Sequence, residues 1–66
     1  MIVSFSWANA EVVYDVDECR IVRATRQVIL KEDSVAVLED SLNTNIDLAG
    51  GWDEFVKQFG ISCVEI

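Results

Sequence analysis

Residues 3–17, with the sequence VSFSWANAEVVYDVD, decide the fold of this chain. The stretch holds two runs in which apolar and polar side chains alternate: Val3, Phe5 and Trp7 with serines, then Val12, Tyr14 and Val16 mostly with acidic residues. Alternation with a period of two places the apolar side chains on one face of a strand. The break at Ala8-Asn9-Ala10 contains an asparagine, which tolerates turn conformations. The stretch therefore predicts a β-hairpin that buries Phe5, Trp7 and Tyr14.

The next segment, residues 19–30, fits two structures. Its β-branched residues favour a third strand, which would extend the hairpin into a meander through a turn at Asp17-Glu18. The alternative is a helix capped by Asp17, with an apolar stripe made of Ile21, Val22, Thr25, Val28 and Ile29. We favour the strand.

Residues 34–42 also have two interpretations. Val35, Leu38 and Leu42 have helical spacing, and Asp33 or Ser34 would be the N-cap of a short helix. The alternative is a second hairpin, in which residues 28–30 pair with residues 35–38. We favour the helix, and we expect the turn-forming residues 43–45, Asn-Thr-Asn, to end it.

The C-terminal part gives the clearest helix. Its apolar stripe follows the i, i+3, i+4, i+7 pattern and consists of Trp52, Phe55, Val56 and Phe59. Gly60 follows directly and suits a left-handed C-terminal cap. Residues 61–66 then predict a final strand with apolar residues on both faces, which indicates a strand inside the sheet or at a dimer interface.

These elements predict one α+β domain over residues 1–66. We expect an N-terminal antiparallel β-meander of two to three strands, one or two short helices, and a C-terminal strand that returns to the sheet. In a domain of 66 residues with 52% apolar residues, the core cannot hide every apolar side chain. An exposed apolar patch or a homodimer is therefore expected. The sequence shows no signal peptide and no membrane-spanning run, so we expect a cytoplasmic protein.

The charges are sorted along the chain. The net charge is −7 with no histidine. Residues 1–19 carry −4, residues 20–31 carry +4, and residues 32–66 carry −7. The basic block contains Arg20, Arg23, Arg26 and Lys31. We expect its acidic neighbours to neutralise it, and the net charge argues against direct binding of nucleic acid.

The residues for common catalytic chemistry are missing. Histidine, the commonest general base and zinc ligand, is absent. Gly50-Gly51 lacks the spacing of a phosphate-binding loop. Asp15 and Asp17 would share a strand face where a hard cation is conceivable, but a solvated turn explains them better. We expect no enzymatic activity, cofactor or metal.

The two cysteines, Cys19 and Cys63, are far apart in the sequence. They predict two buried, reduced thiols, with a single disulfide as the alternative.

The acidic residues are therefore expected to bind a partner, namely a protein with a cationic, nucleic-acid-binding surface. The candidate residues are Glu11, Asp15, Asp17, Glu18, Glu39, Asp40, Asp53 and Glu54. In size and charge the chain resembles phage-encoded anti-defence inhibitors, including anti-CRISPR and anti-restriction proteins. That resemblance implies inhibition of nucleic-acid-handling machinery. The alternative is a dimeric or antitoxin-like subunit that binds through apolar residues such as Trp7, Trp52, Phe59 and Ile66.

Overall fold

A computed structural model describes residues 1–66 as five strands and two helices. The elements are β1 (Ile2–Trp7), β2 (Ala10–Asp15), β3 (Arg20–Arg26), β4 (Val28–Ile29), α1 (Glu32–Ala49), α2 (Trp52–Phe59) and β5 (Val64–Glu65). The strands form one sheet in the order β4-β3-β2-β1-β5, and every neighbouring pair is antiparallel. The predicted α+β class and the returning C-terminal strand are confirmed.

The β1–β2 hairpin forms as its alternation predicts. Trp7 pairs with Ala10, and the two residues between them have φ values of 50° and 63°. A two-residue turn with two left-handed residues matches the twist of the flanking strands. Phe5 and Tyr14 are buried on the helix-facing side of the sheet, as expected, whereas Trp7 is only half-buried.

The strand predicted over residues 19–30 is confirmed for Arg20–Arg26, with an irregularity. Gln27 has a left-handed φ of 69° and reverses the chain, so Val28–Ile29 form the separate antiparallel strand β4. Val13 pairs with Arg23 and Tyr14 pairs with Ile21, so Val22 is an extra residue in a β-bulge. The bulge lets Ile21 and Ala24 face the core although they are three residues apart.

The prediction of a short helix over residues 34–42 was wrong in its extent. Helix α1 covers Glu32–Ala49, its N-cap is Lys31 rather than Asp33 or Ser34, and it continues through residues 43–45. Its buried stripe is Leu38, Leu42 and Ile46. Burial of this longer stripe against the sheet outweighs the weak turn preference of the asparagines. The helix ends at Gly50, where φ is 102°. The backbone N–H groups of Gly50 and Gly51 donate hydrogen bonds to the carbonyls of Asp47 and Ile46 in the last turn.

Helix α2 agrees with the prediction. It covers Trp52–Phe59 and ends at Gly60, which has a left-handed φ of 63°. Its stripe packs on the hairpin through aromatic rings: Trp52 lies 5.5 Å from Phe5, and Phe55 lies 5.2 Å from Trp7, between ring centroids. Both helices therefore cover one face of the sheet, and the opposite face is open.

Strand β5 differs from the prediction. It contains only Val64–Glu65, pairs with β1, and lies at the edge of the sheet rather than inside it. Its apolar residues are exposed, with 69% of Val64 and 74% of Ile66 accessible. In the whole chain, 11 of 66 residues are buried, so much of the apolar content lies on the surface, as the sequence indicated. Neither helix combines the length and the hydrophobicity needed to cross a membrane.

Candidate functional site

Seven of the twelve aspartate and glutamate residues lie on elements that meet at one end of the molecule. Strand β2 ends there, Trp52 stacks on Tyr14 with ring centroids 5.6 Å apart, and Glu65 is paired with Val3, the β1 partner of Tyr14. These contacts bring together the β2–β3 turn, the α1–α2 junction and β5. We call this region the acidic end; its carboxylates are Asp15, Asp17, Glu18, Asp47, Asp53, Glu54 and Glu65.

The β2–β3 turn positions three of the predicted residues. Asp15 Oδ1 accepts hydrogen bonds from the backbone N–H groups of Asp17 (3.1 Å) and Glu18 (3.2 Å). Such bonds from an aspartate to amides two and three residues ahead stabilise a turn. The carboxylates of Asp17 and Glu18 are therefore exposed on the turn. The prediction that Asp15 and Asp17 share a strand face was wrong, because the chain turns between them.

Asp17 also pairs with the amino group of Met1. Hydrogen bonding to Asp17 is the main reason that the pKa of this amino group is raised, although burial acts in the opposite direction. Asp15 and Glu65 add smaller effects of the same sign as Asp17. The charged form of the Met1 amino group is therefore stabilised mainly by Asp17.

The α1–α2 junction contributes Asp53 and Glu54, both predicted, and Asp47, which sequence reasoning missed. Asp53 and Glu54 lie in the first turn of α2, where the helix dipole favours negative charge. Asp47 was missed because α1 was expected to end before it. Glu65, also missed, lies in a strand that was predicted without a charged role.

The other three predicted residues lie outside the acidic end. Glu39 is half-buried on α1, and its Oε1 accepts a 2.6 Å hydrogen bond from the backbone N–H of Ile21. It thereby satisfies a backbone donor in the part of β3 that the short strand β4 does not reach. Glu11 lies on the open face of the sheet and accepts a 2.7 Å bond from Ser6 Oγ, while Asp40 is exposed on α1.

The basic block is not neutralised as expected. The ion pair between Met1 and Asp17 is the only one in the structure, so no arginine or lysine side chain is within pairing distance of a carboxylate. Arg20 and Arg23 lie on the open face of the sheet, opposite Asp15 and Val13 in the register. Arg26 donates a 2.7 Å hydrogen bond to the carbonyl of Ala8 at the hairpin turn. No arginine or lysine therefore forms an ion pair, although Arg20 is the cross-strand neighbour of Asp15.

A buried hydrogen-bond network supports the acidic end from inside. Tyr14 is 1% exposed, and its hydroxyl donates a 2.5 Å hydrogen bond to Asn43 Oδ1. Asn43 Nδ2 in turn donates a 2.9 Å bond to the carbonyl of Cys19. Burial raises the pKa of Tyr14 well above its ordinary value, and the neighbouring Cys19, Glu39 and Asp47 add to the effect. Asn43 thus joins α1 to β2 and to the β2–β3 turn.

The raised pKa of Tyr14 predicts a loss of stability in alkaline solution. Below the ordinary value of 10.0, tyrosine is protonated in both the folded and the unfolded chain, and the full stability is present. Above it, only the unfolded chain releases the proton, so the free energy of unfolding falls as the pH rises toward the folded-state pKa. Urea unfolding between about pH 8 and about pH 11 should show this fall. Tyr14→Phe is the control, and an equal fall in that variant would contradict the assignment.

Other features of the surface offer less chemistry. No group of three or more cysteine and carboxylate side chains is arranged to hold a metal ion. Cys19 and Cys63 are free and exposed, so the expectation that both are buried was wrong. A groove of about 460 Å³ lies between α1 and the β3–β4 turn, lined by Arg26, Leu30, Asp33, Ser34, Val37, Leu38 and Ser41.

Comparison of the chain with protein-family models, with curated proteins and with solved structures finds no match.

Proposed function

We propose that this chain is a small acidic, non-enzymatic protein that binds and inhibits nucleic-acid-handling machinery. One observation carries the proposal: elements from distant parts of the sequence meet at the acidic end, and no lysine or arginine side chain pairs with the carboxylates that they carry. A predominantly negative surface of this kind attracts a cationic surface and raises the rate of association. The partner is thus a protein with a cationic, nucleic-acid-binding surface.

The mechanism is competition for a groove that normally holds a phosphate backbone. Exposed carboxylates on the β2–β3 turn and the first turn of α2 present negative charges from a rigid support. A basic groove that releases counterions when it binds phosphates gains the same electrostatic stabilisation from a row of carboxylates. This mechanism requires no cofactor, no metal, no membrane and no direct contact with nucleic acid.

The anti-defence class is the version of this function that size and charge favour. A chain of 66 residues with a net charge of −7 resembles phage-encoded anti-CRISPR and anti-restriction inhibitors in these two properties. Such an inhibitor would act in the cytoplasm, where its target works. The free, exposed thiols of Cys19 and Cys63 are compatible with that reducing compartment.

The experiment is capture from a bacterial lysate on immobilised protein, with elution in a salt gradient and identification by mass spectrometry. Three columns are compared: the wild type, the acidic-end variant Asp17→Asn/Glu18→Gln, and the control Glu11→Gln/Asp40→Asn. Both variants lose two exposed carboxylates, so their net charges are equal. We expect a nucleic-acid-binding protein to elute from the wild type at moderate salt. Its affinity should fall about fivefold to tenfold on the acidic-end variant.

The control separates a specific surface from general acidity. If Glu11 and Asp40 lie outside the contact, their variant should retain the partner nearly as well as the wild type. Equal losses on both variant columns would mean that net charge alone drives the capture. A partner that stays bound in high salt would contradict the electrostatic mechanism.

The alternative, a structural or regulatory partner subunit, has its own supporting observation. Large apolar side chains are exposed at both edges of the sheet, among them Val28, Ile29, Val64 and Ile66. The aromatic form of this alternative loses support, because Trp7 and Trp52 are packed into the ring cluster. Of the four contacts expected from the sequence, Phe59 and Ile66 are exposed, at 48% and 74%.

A further inference from the structure

The open face of the sheet carries several apolar side chains. The pairing register places Ile2 and Val13 on this face, because their neighbours along each strand point into the core. Ile29 and Val64 lie on the same side through their pairing with β3 and β1. Ile2, Ile29 and Val64 are 37%, 70% and 69% exposed. An antiparallel sheet with one solvated face normally carries polar residues there, so this face is suited to being covered.

The charges of the same face balance, in contrast to those of the whole chain. Strand β2 contributes two acidic residues, Glu11 and Asp15, and β3 contributes two arginines, Arg20 and Arg23. The formal charge of these strand residues is therefore zero, whereas that of the chain is −7. Neither arginine forms an ion pair within the chain. Two copies can thus approach through this face without the repulsion that a net acidic surface would cause.

The acids and the arginines make the face complementary to itself. A twofold axis that runs parallel to the strands, between β2 and β3, places β2 of each copy over β3 of the other. Asp15 of one copy then faces Arg20 of the other at the same level of the register, and Glu11 lies one diagonal step from Arg23. Val13, the cross-strand partner of Arg23, lies near the centre. Stacked sheets are about 10 Å apart, a gap that arginine side chains can span.

We propose that two copies of this chain form a dimer through the open faces of their sheets. The contact covers Val13 and Ile29 and places the acidic residues of β2 against the arginines of β3. The two β2–β3 turns lie at the same end of the dimer, where Glu18 stays in water and salt screens its charge. Both helices remain on the outside.

The size of the face sets the expected affinity. Four facing strands cover about 20 Å by about 20 Å, which is at the small end of specific interfaces. We therefore expect a dissociation constant in the micromolar range. The dimer does not rest on the proposed inhibition, because the residues that it uses are on the side of the sheet opposite α2.

The test is sedimentation velocity of the purified protein without any partner, from about 5 µM to about 500 µM. We expect monomers and dimers and no larger species, because a twofold contact closes on itself. Arg23→Glu and Glu11→Arg each place like charges against each other twice, so each should raise the dissociation constant at least about tenfold. An equimolar mixture of the two variants should form a heterodimer, because both contacts then join opposite charges. This recovery distinguishes a lost contact from a lost fold.

Two controls match the net charges on the helix side of the molecule. Lys57→Glu has the same charge as Arg23→Glu, and Asp40→Arg has the same charge as Glu11→Arg, but both residues are exposed on the helices. Both controls should dimerise like the wild type. A monomer at every concentration, species larger than two copies, equal weakening in the controls, or a mixture that stays monomeric would overturn the proposal. Since no partner is present, none of these results depends on the inhibitory function.

Discussion

Phe55→Ala is expected to lower the free energy of unfolding by about 3–5 kcal/mol. Phe55 is completely buried, and its ring lies 5.2 Å from Trp7, 5.8 Å from Trp52 and 4.8 Å from Phe59, between centroids. The substitution removes apolar surface and leaves a cavity beneath α2. The core of a domain of this size supplies about 3–5 kcal/mol of stability. The variant should therefore be largely unfolded, as measured by urea titration of tryptophan fluorescence.

Phe59→Ala is the matched control for this prediction. The two residues lie on the same stripe of α2, but Phe59 is 48% exposed. Its replacement removes less buried surface, leaves a site open to water, and should cost about 1–2 kcal/mol. An equal loss of stability in both variants would contradict the prediction that the buried ring of Phe55 contributes more to packing than the half-exposed ring of Phe59.

The hairpin and α2 could be predicted because each depends on local patterns that agree with each other. In residues 2–15 the period-two alternation matches the pairing register, and the break falls at the turn. In α2 the apolar stripe, the acidic first turn and Gly60 all indicate the same boundaries. Where periodicity, charge placement and capping agree, tertiary packing confirms the local preference rather than overriding it.

The remaining elements depend on contacts that the sequence does not state. The bulge at Val22 changes the spacing of the buried residues in β3 from two to three. Helix α1 continues through Asn43 and Asn45 because its buried stripe extends to Ile46, which belongs to the core. Strand β5 lies at an edge, whereas the apolar residues on both its faces indicated either a central strand or a dimer interface. In each case long-range packing decides between local alternatives.

The acidic end could be predicted only in part, because its assembly also depends on long-range packing. The acidic character of Asp15, Asp17, Glu18, Asp53 and Glu54 can be read from the sequence, but their meeting at one end follows from the α1–α2 junction. Glu39 has as strong an acidic neighbourhood in the sequence as Asp53. Only the fold shows that its carboxylate accepts a hydrogen bond from the backbone N–H of Ile21.

Asn43→Leu is expected to lower the free energy of unfolding by about 2–3 kcal/mol. The leucine keeps the helix propensity and the size of the side chain, but it removes one acceptor and one donor. The buried Tyr14 hydroxyl then loses its 2.5 Å acceptor, and the Cys19 carbonyl loses its 2.9 Å donor. A buried polar group without a partner costs about 1–3 kcal/mol, and the exposed Cys19 carbonyl recovers part of its loss by binding water. The change is measured by urea unfolding at neutral pH.

Asn45→Leu tests whether the effect comes from this network rather than from placing a leucine in α1. Asn45 Nδ2 donates a 2.8 Å hydrogen bond to the carbonyl of Ser41, four residues earlier in the same helix. This bond does not connect α1 to a second element. Its replacement should change the stability by less than about 0.5 kcal/mol. A further consequence separates the two positions: Asn43 holds α1 to the β2–β3 turn that presents Asp17 and Glu18. In the folded fraction, Asn43→Leu should weaken partner binding without changing any charge, and Asn45→Leu should not. Unchanged binding in both variants would mean that the turn keeps its position without Asn43.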